Sequence, residues 1–272
     1  MGKRNALNAI TENKKEELVF DQHYMIDQNV ISAIINAGAF KTSDTVVEIG
    51  PGKGALTKHL AGKVKKLIVI DIDPKHLKEL SSLTNTEIII GDALTVLPTL
   101  DLPTSFKLIS NLPYSLCEPL FLRLPRLSPS RCIFTTGRNF YDILFDPSTK
   151  LSTIAHSSFT IRHLLDILPE SFSPPPRVIS CTFILDKKES PDPEEHLLAS
   201  IFKQHDKKLK NAIIKTFRDE LSYTNKEAKE KEALLGLNTV EEEGTVAKLS
   251  NDSCRKLVDL IKKESEKKEN KN

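Results

Sequence analysis

Thr45-Val46-Val47-Glu48-Ile49-Gly50-Pro51-Gly52-Lys53-Gly54 is the stretch that decides the fold. A β-branched run, suited to a buried strand, ends in glycines at alternate positions, and Ala55, Leu56, Leu60 and Val64 then offer one apolar stripe for a helix. Strand, glycine loop and helix in that order let the backbone approach a ligand closely, with a helix N-terminus behind it. The spacing is not the G-x-G-x-x-G of dinucleotide enzymes. Glu48, just ahead of the glycines, suits a cationic or amine-bearing ligand better than a pyrophosphate.

Working outward, short β-rich runs alternate with helical segments from Thr45 to Leu185, which predicts an α/β fold with a mostly parallel sheet covered on both faces. The expected strands after the first are Leu67-Ile68-Val69-Ile70, Glu87-Ile88-Ile89-Ile90, Phe106 to Ser110, Arg131 to Thr135 and Val178 to Leu185. Pro74 sits suitably at the start of a helix. The region between the last two strands is less regular and ends in Pro174-Pro175-Pro176, which reads as a rigid extended loop. Ser190-Pro191-Asp192-Pro193 then breaks the chain, and a helical, Lys/Glu-rich remainder follows. We therefore expect a domain over 1–188, including an N-terminal arm, and a smaller helical domain over 189–272.

With 39% hydrophobic and 28% charged residues among 272, the chain has the composition of a soluble globular protein. No apolar stretch approaches the roughly 20 residues that span a bilayer, and Met1-Gly2-Lys3-Arg4-Asn5-Ala6 leads into neither a secretory signal nor a myristoylation pattern. A cytoplasmic location with no membrane partner is the expectation. Cys117, Cys132, Cys181 and Cys254 are scattered without a C-x-x-C pair, so they read as small apolar residues, and no metal is expected. A net charge of +2 is too small to identify a nucleic-acid partner by itself.

The first four expected strands each end in residues with chemistry to offer. Asp71 follows the glycines at the distance where a carboxylate accepts from ribose hydroxyls. Asp73 is the alternative, but it immediately precedes Pro74 and reads as a helix cap. Asp92, in Gly91-Asp92-Ala93, stands where a carboxylate or its neighbouring backbone can meet an adenine amino group, so the acidic ends together point to a bound adenosine. Asn111-Leu112-Pro113-Tyr114 then combines an amide, a carbonyl held by a following proline and an aromatic ring. Such a set can take two hydrogens of a planar amine and offer a face to the ring that carries it.

With these motifs in register, the chain resembles the KsgA/Erm family of ribosomal RNA adenine dimethyltransferases. It is similar to the small-subunit branch, with Asp21-Gln22-His23-Tyr24-Met25-Ile26-Asp27 resembling archaeal members, and the resemblance runs from Asp21 through Phe172-Ser173-Pro174-Pro175-Pro176-Arg177-Val178 and, more loosely, takes in the basic helix start expected at Asp206-Lys207-Lys208-Leu209-Lys210-Asn211-Ala212. The resemblance implies a Rossmann-like class I methyltransferase sheet with a smaller C-terminal helical domain. It implies S-adenosylmethionine as cofactor, held by His23, Met25, Gly50, Gly52, Asp71, Asp92 and Asn111. Catalysis would rest on Asn111, Leu112, Pro113 and Tyr114, with Phe172 closing the other face of the adenine. The sequence departs from the pattern at Tyr24-Met25, where Phe-Leu is common, at Asp71, where Glu is frequent, and at Thr136-Gly137-Arg138-Asn139-Phe140, which replaces a Gln-Lys-Glu-type stretch.

The activity so implied is dimethylation of adenosine N6 in small-subunit ribosomal RNA during ribosome biogenesis, by a monomer acting on a precursor particle. The alternatives are a large-subunit ribosomal RNA methyltransferase and a non-catalytic RNA-binding assembly or transcription factor on the same fold. RNA contact is expected from Lys207, Lys208, Lys210 and Arg218, with Lys207 and Lys210 sharing one helix face. The second choice is the N-terminal arm around Lys3, Arg4, Lys14 and Lys15.

Overall fold

The computed structural model describes residues 22–236 and 243–269. Asp21 and the basic arm residues Lys3, Arg4, Lys14 and Lys15 lie outside them. The elements that carry the site are β1 (Tyr24–Met25), α1 (Gln28–Ala37), β2 (Thr45–Ile49), α2 (Thr57–Leu60), β3 (Lys66–Asp71), α3 (Leu77–Leu80), β4 (Thr86–Ile90), α4 (Ala93–Val96) and β5 (Lys107–Asn111). They continue with α5 (Tyr114–Phe121), α6 (Leu124–Leu127), β6 (Arg131–Gly137), α7 (Arg138–Leu144), α8 (Lys150–Ser158), β7 (Phe159–Ile167), β8 (Phe172–Ser173) and β9 (Ser180–Lys187). The C-terminal part comprises α9 (Pro193–Phe202), α10 (Leu209–Leu221), α11 (Asn225–Ala233) and α12 (Asn251–Glu269).

The main sheet runs β4-β3-β2-β5-β6-β9-β7. β4 through β6 pair in parallel, whereas β9 and β7 are antiparallel additions at one edge. Alternation sorts the buried side chains onto two faces. Val47, Ile68, Leu108, Phe134 and Phe183 pack in one core, and Val46, Leu67, Val69, Ile109, Ile133 and Ile184 in the other. Both faces are apolar, so the interior strands read as near-continuous hydrophobic runs. A third core joins Ile154 of α8 to Leu197, Ile201, Phe217 and Leu257 of the C-terminal helices.

β2 has β3 on one side and β5 on the other, so the strand order reverses there. In open α/β sheets this switch point leaves a crevice at the carboxyl ends of the strands, where ligands bind. β2 covers the expected residues, and the other expected strands are found with ends moved by one or two positions. Three expectations are corrected. The helix after the glycines is a single turn, because Gly62 turns the chain at φ 75°, although Leu56, Leu60 and Val64 are all buried as the stripe requires. The irregular region contains β7, an edge strand whose polar residues and register shift between His163 and Leu165 hide its alternation. α10 starts only at Leu209. The bonds Val246 N to Lys207 O (2.9 Å) and Leu209 N to Gly244 O (2.9 Å) hold Lys207 and Lys208 outside the helix, Lys208 in an extended conformation, so Lys207 and Lys210 do not share a helix face. The chain-breaking Asp192-Pro193 pair turns out to be a capping box that starts α9, closed by Glu195.

Candidate active site

A cavity of about 470 Å³ opens at the switch point, at the carboxyl ends of β2, β3, β5 and β6. Its floor is the glycine loop, where Gly50, Gly52 and Gly54 adopt φ of 65°, 53° and 81°. These values favour glycine on backbone grounds alone. Gly52 has a second constraint, since a Cβ there would fall 2.8 Å from the Tyr24 ring. The first described segment therefore lies across the loop as a strap. Gln22 bonds Asp73 at 3.2 Å, and the Tyr24 hydroxyl meets Gln22 and, at 3.3 Å, His76. Lys53 Nζ stands 4.6 Å from the centre of the Tyr24 ring.

The strap is held from the far end of the sequence. β1 pairs antiparallel with β8, Tyr24 opposite Ser173 and Met25 opposite Phe172, and His23 Nδ1 lies 2.8 Å from the Pro174 carbonyl. Asn111, the last residue of β5, donates from Nδ2 to the His23 carbonyl at 3.0 Å. A carbonyl accepts only from a donor, so this bond fixes which way the amide points and leaves Oδ1 as the free end. Leu112 N in turn donates to Thr135 O at 2.9 Å, which carries Pro113 and Tyr114 to the start of α5 beside the end of β6. Tyr114 is half exposed, while Phe172 is buried, and both line the cavity.

The electrostatics are those of an acidic recess. Glu48 is 2% exposed, and its Oε2 is buried without a hydrogen-bond partner among the described residues. Burial drives its pKa from 4.5 up to about 7; nearby Thr57 tempers the rise and Asp71 adds to it. The Asp71 carboxyl is raised as well, chiefly by burial, although the Asp73 amide donates to it at 2.9 Å. Two carboxyl groups with raised pKa in one cavity make a setting in which a cationic group would be welcome.

The structure brings together at this cavity His23, Met25, Gly50, Gly52, Asp71, Asn111, Leu112, Pro113, Tyr114 and Phe172 of the expected set. Asp92 is not in the cavity wall. It is exposed and caps α4, accepting from Leu94 N at 2.9 Å, because it stands at the very turn where β4 gives way to a helix. Asp73 likewise caps the helical turn that Pro74 begins. Lys207, Lys208, Lys210 and Arg218 belong to the C-terminal part; Lys208 pairs with Glu243, and Lys210 reaches the same carboxylate at 3.6 Å. Sequence reasoning overlooked Gly137, whose backbone conformation is ordinary and gives no pattern signal. It also could not foresee that Glu48 is sealed from solvent.

A further group, His163, Asp166 and Cys181, lies with its ligand-type atoms within 4.8 Å. Asp166 already accepts two bonds from Arg138 at 3.0 Å, and burial pushes the Cys181 thiol up to about 12, so these residues form an ion-paired network at the sheet edge.

Comparison with known proteins identifies the family and the fold. A protein of Methanosarcina acetivorans named "Probable ribosomal RNA small subunit methyltransferase A" is 32% identical over 220 residues, covering 72% of this chain and 77% of that one. The ribosomal RNA small subunit methyltransferase A of Dechloromonas aromatica is 31% identical over 222 residues, covering 75% and 86%. Among solved structures, a dimethyladenosine transferase from Plasmodium falciparum superposes with a TM-score of 0.58 at 23% identity, over 89% of this chain and 98% of that one. The 23S rRNA methyltransferase ErmE gives 0.55 at 19% identity, over 88% and 99%. These two establish the class I methyltransferase fold. Residues 13–263 match the family described as ribosomal RNA adenine dimethylase, and the chain belongs to that family.

Proposed function

We propose that this protein dimethylates the N6 amine of adenosine in small-subunit ribosomal RNA, with S-adenosylmethionine as methyl donor. One observation carries the reading: the Asn111 amide, pinned by the His23 carbonyl through Nδ2, keeps Oδ1 as its acceptor in the wall of a cavity lined also by a buried carboxyl group, one oxygen of which has no hydrogen-bond partner among the described residues. The first feature fits an amine substrate and the second a cationic donor. The names of the relatives support ribosomal RNA of the small subunit as the acceptor.

The donor supplies an activated methyl group on a sulfonium cation. The glycine loop at Gly50 and Gly52 allows its close approach, Asp71 would accept from the ribose diol, and His23 and Met25 of the strap would cover it. Asp92, which caps α4 at the end of β4 outside the cavity wall, is left out of this assignment. Adenine N6 is a poor nucleophile because its lone pair is delocalised into the ring. Asn111 Oδ1 and the Leu112 carbonyl would take its two hydrogens, favouring a pyramidal nitrogen whose lone pair faces the methyl group. Tyr114 and Phe172 would hold the two faces of the base, which must leave its stack to arrive there. After transfer the cationic nitrogen loses a proton to solvent, so no strong base is needed. The helical segment 189–272 is assigned the role of a separate RNA-holding domain, through Lys207, Lys208, Lys210 and Arg218.

The test is to incubate the purified chain with labelled S-adenosylmethionine and either small-subunit precursor particles or large-subunit RNA. Nucleosides are then resolved by mass spectrometry. N6,N6-dimethyladenosine in the small-subunit sample alone is expected. Label in large-subunit RNA alone would overturn the substrate assignment, and no label in either would overturn the activity.

A further inference from the structure

Tyr24 stands where the pattern this chain resembles commonly has phenylalanine, and its ring and its hydroxyl have separate roles. The ring covers the glycine loop, with Lys53 Nζ 4.6 Å from its centre and the His76 ring edge-on at 5.6 Å. Phenylalanine would do the same. The hydroxyl adds two contacts that phenylalanine cannot make, to Gln22 Oε1 and, at 3.3 Å, to His76 Nε2. The direction of each bond follows from its neighbours. Gln22 Nε2 donates to Asp73 Oδ2 at 3.2 Å, so Gln22 Oε1 accepts the single Tyr24 hydrogen, and His76 Nε2 must then donate to the Tyr24 oxygen. Burial, with Asp73 and Asp71 nearby, raises the Tyr24 pKa, so the phenol keeps its hydrogen. These bonds join two elements. Gln22 and Tyr24 belong to the strap, whereas Asp73 and His76 belong to the turn after β3, where the Asp73 amide donates to Asp71 at 2.9 Å. β8 and the Asn111 amide hold the strap from one side, and the hydroxyl ties it to the other.

We infer that the Tyr24 hydroxyl latches the strap across the donor site, which makes Tyr24 a positioning residue that sets how fast donor and spent donor exchange. This rests on the methyl donor proposed above. Gln22, His23, Tyr24 and Met25 line the same cavity as Gly50, Gly52 and Asp71, so a donor held between strap and loop leaves as the strap lifts from the turn. All the partners of the latch are side chains of the protein itself. It therefore closes with or without donor, and resists entry as well as exit. Methyl transfer does not call for the hydroxyl, since phenylalanine supplies the ring; the latch acts on the steps before and after the chemistry, where opening of a covering segment sets the rate.

The experiment measures association and dissociation of labelled S-adenosylmethionine by rapid filtration, with an unlabelled chase, for wild type, Tyr24→Phe, His76→Ala and the double variant. Tyr24→Phe should quicken both rates by roughly tenfold, the combined effect of two neutral hydrogen bonds, so that affinity changes less than either rate. His76→Ala should act in the same direction, and the double variant should be no faster than Tyr24→Phe, because the bond to His76 is already gone. Unchanged rates, a loss of affinity with association unaltered, or additive effects in the double variant overturn the inference. Hydrogen exchange of the protein without donor reads the latch independently. Amides of residues 22–26 should exchange faster in Tyr24→Phe while those of β2 and β5 keep their protection. Unchanged exchange in the strap, or equal acceleration in β2 and β5, refutes the latch. If wild type binds no S-adenosylmethionine, the proposed donor has failed, and the exchange data still decide whether the hydroxyl holds the strap.

Discussion

Replacing Glu48 by glutamine removes a buried carboxyl group of the cavity, one oxygen of which, Oε2, has no partner among the described residues, and its consequence for stability has a definite sign. In the unfolded chain Glu48 titrates near its usual 4.5, and in the folded protein near 7. Between those values the native state binds the proton and the unfolded state does not, so this group makes stability fall as pH rises. Below pH 4.5 both states are protonated and the penalty vanishes; above 7 it is fully present. A shift of this size corresponds to about 3 kcal/mol at roughly 1.4 kcal/mol per unit. Urea unfolding of wild type and Glu48→Gln across this pH range measures it, and the variant should gain on wild type progressively as pH rises. The comparison of slopes is independent of any constant packing cost of the amide. A cationic donor favours the ionised carboxylate, so wild-type donor affinity should also rise toward neutrality, with a proton released on binding and none released by the glutamine variant. Parallel stability curves for the two proteins across the window would falsify the buried-acid reasoning.

Asn111→Ala should abolish methyl transfer while leaving donor affinity within about tenfold, because the lost acceptor acts on the target amine; an active variant in the labelled-donor assay sinks the mechanism. Asp71→Ala should weaken donor binding by roughly 1.5–3 kcal/mol, the worth of hydrogen bonds to a charged acceptor, and unchanged affinity by calorimetry would make Asp71 a structural residue. Reversing Lys207, Lys208 and Lys210 to glutamate should weaken ribosomal RNA binding and flatten its salt dependence with donor binding intact. Unaltered binding and salt slope would move the RNA footprint to the N-terminal arm.

The parallel core of the sheet could be read directly from sequence. Val46, Val47, Leu67 to Ile70 and Leu108 are apolar on both faces because helices cover both, and such runs bounded by glycine and proline have few other readings. β7 escaped because its Arg162, His163 and Asp166 are exposed at the sheet edge and a register shift between His163 and Leu165 breaks its alternation, although it sends side chains into both cores. The site divides in the same way. Asn111, Asp71 and the glycines announce themselves by residue type at a strand end. Gly137 is defined by a ring that lies 23 positions earlier in the chain and packs directly against it, and the protonation of Glu48 by how completely it is buried. The shared helix face assigned to Lys207 and Lys210 failed because long-range bonds to the 244–246 segment, invisible to local spacing, delay the start of α10.

The pairing of β1 with β8 also sets an order of events during synthesis. Asn111 leaves the ribosome long before residues 171–174, yet the carbonyl that orients its amide belongs to a strap whose partners, Ser171 O for Ile26 N at 2.9 Å, Phe172 and Pro174, come late. A nascent chain that has already assembled β2, β3 and β5 would carry the right residues in an unready geometry. Competence to transfer a methyl group would arrive abruptly, when the segment after β7 emerges and locks the strap. A copy that ends before residue 171 would lack every one of these partners of the strap.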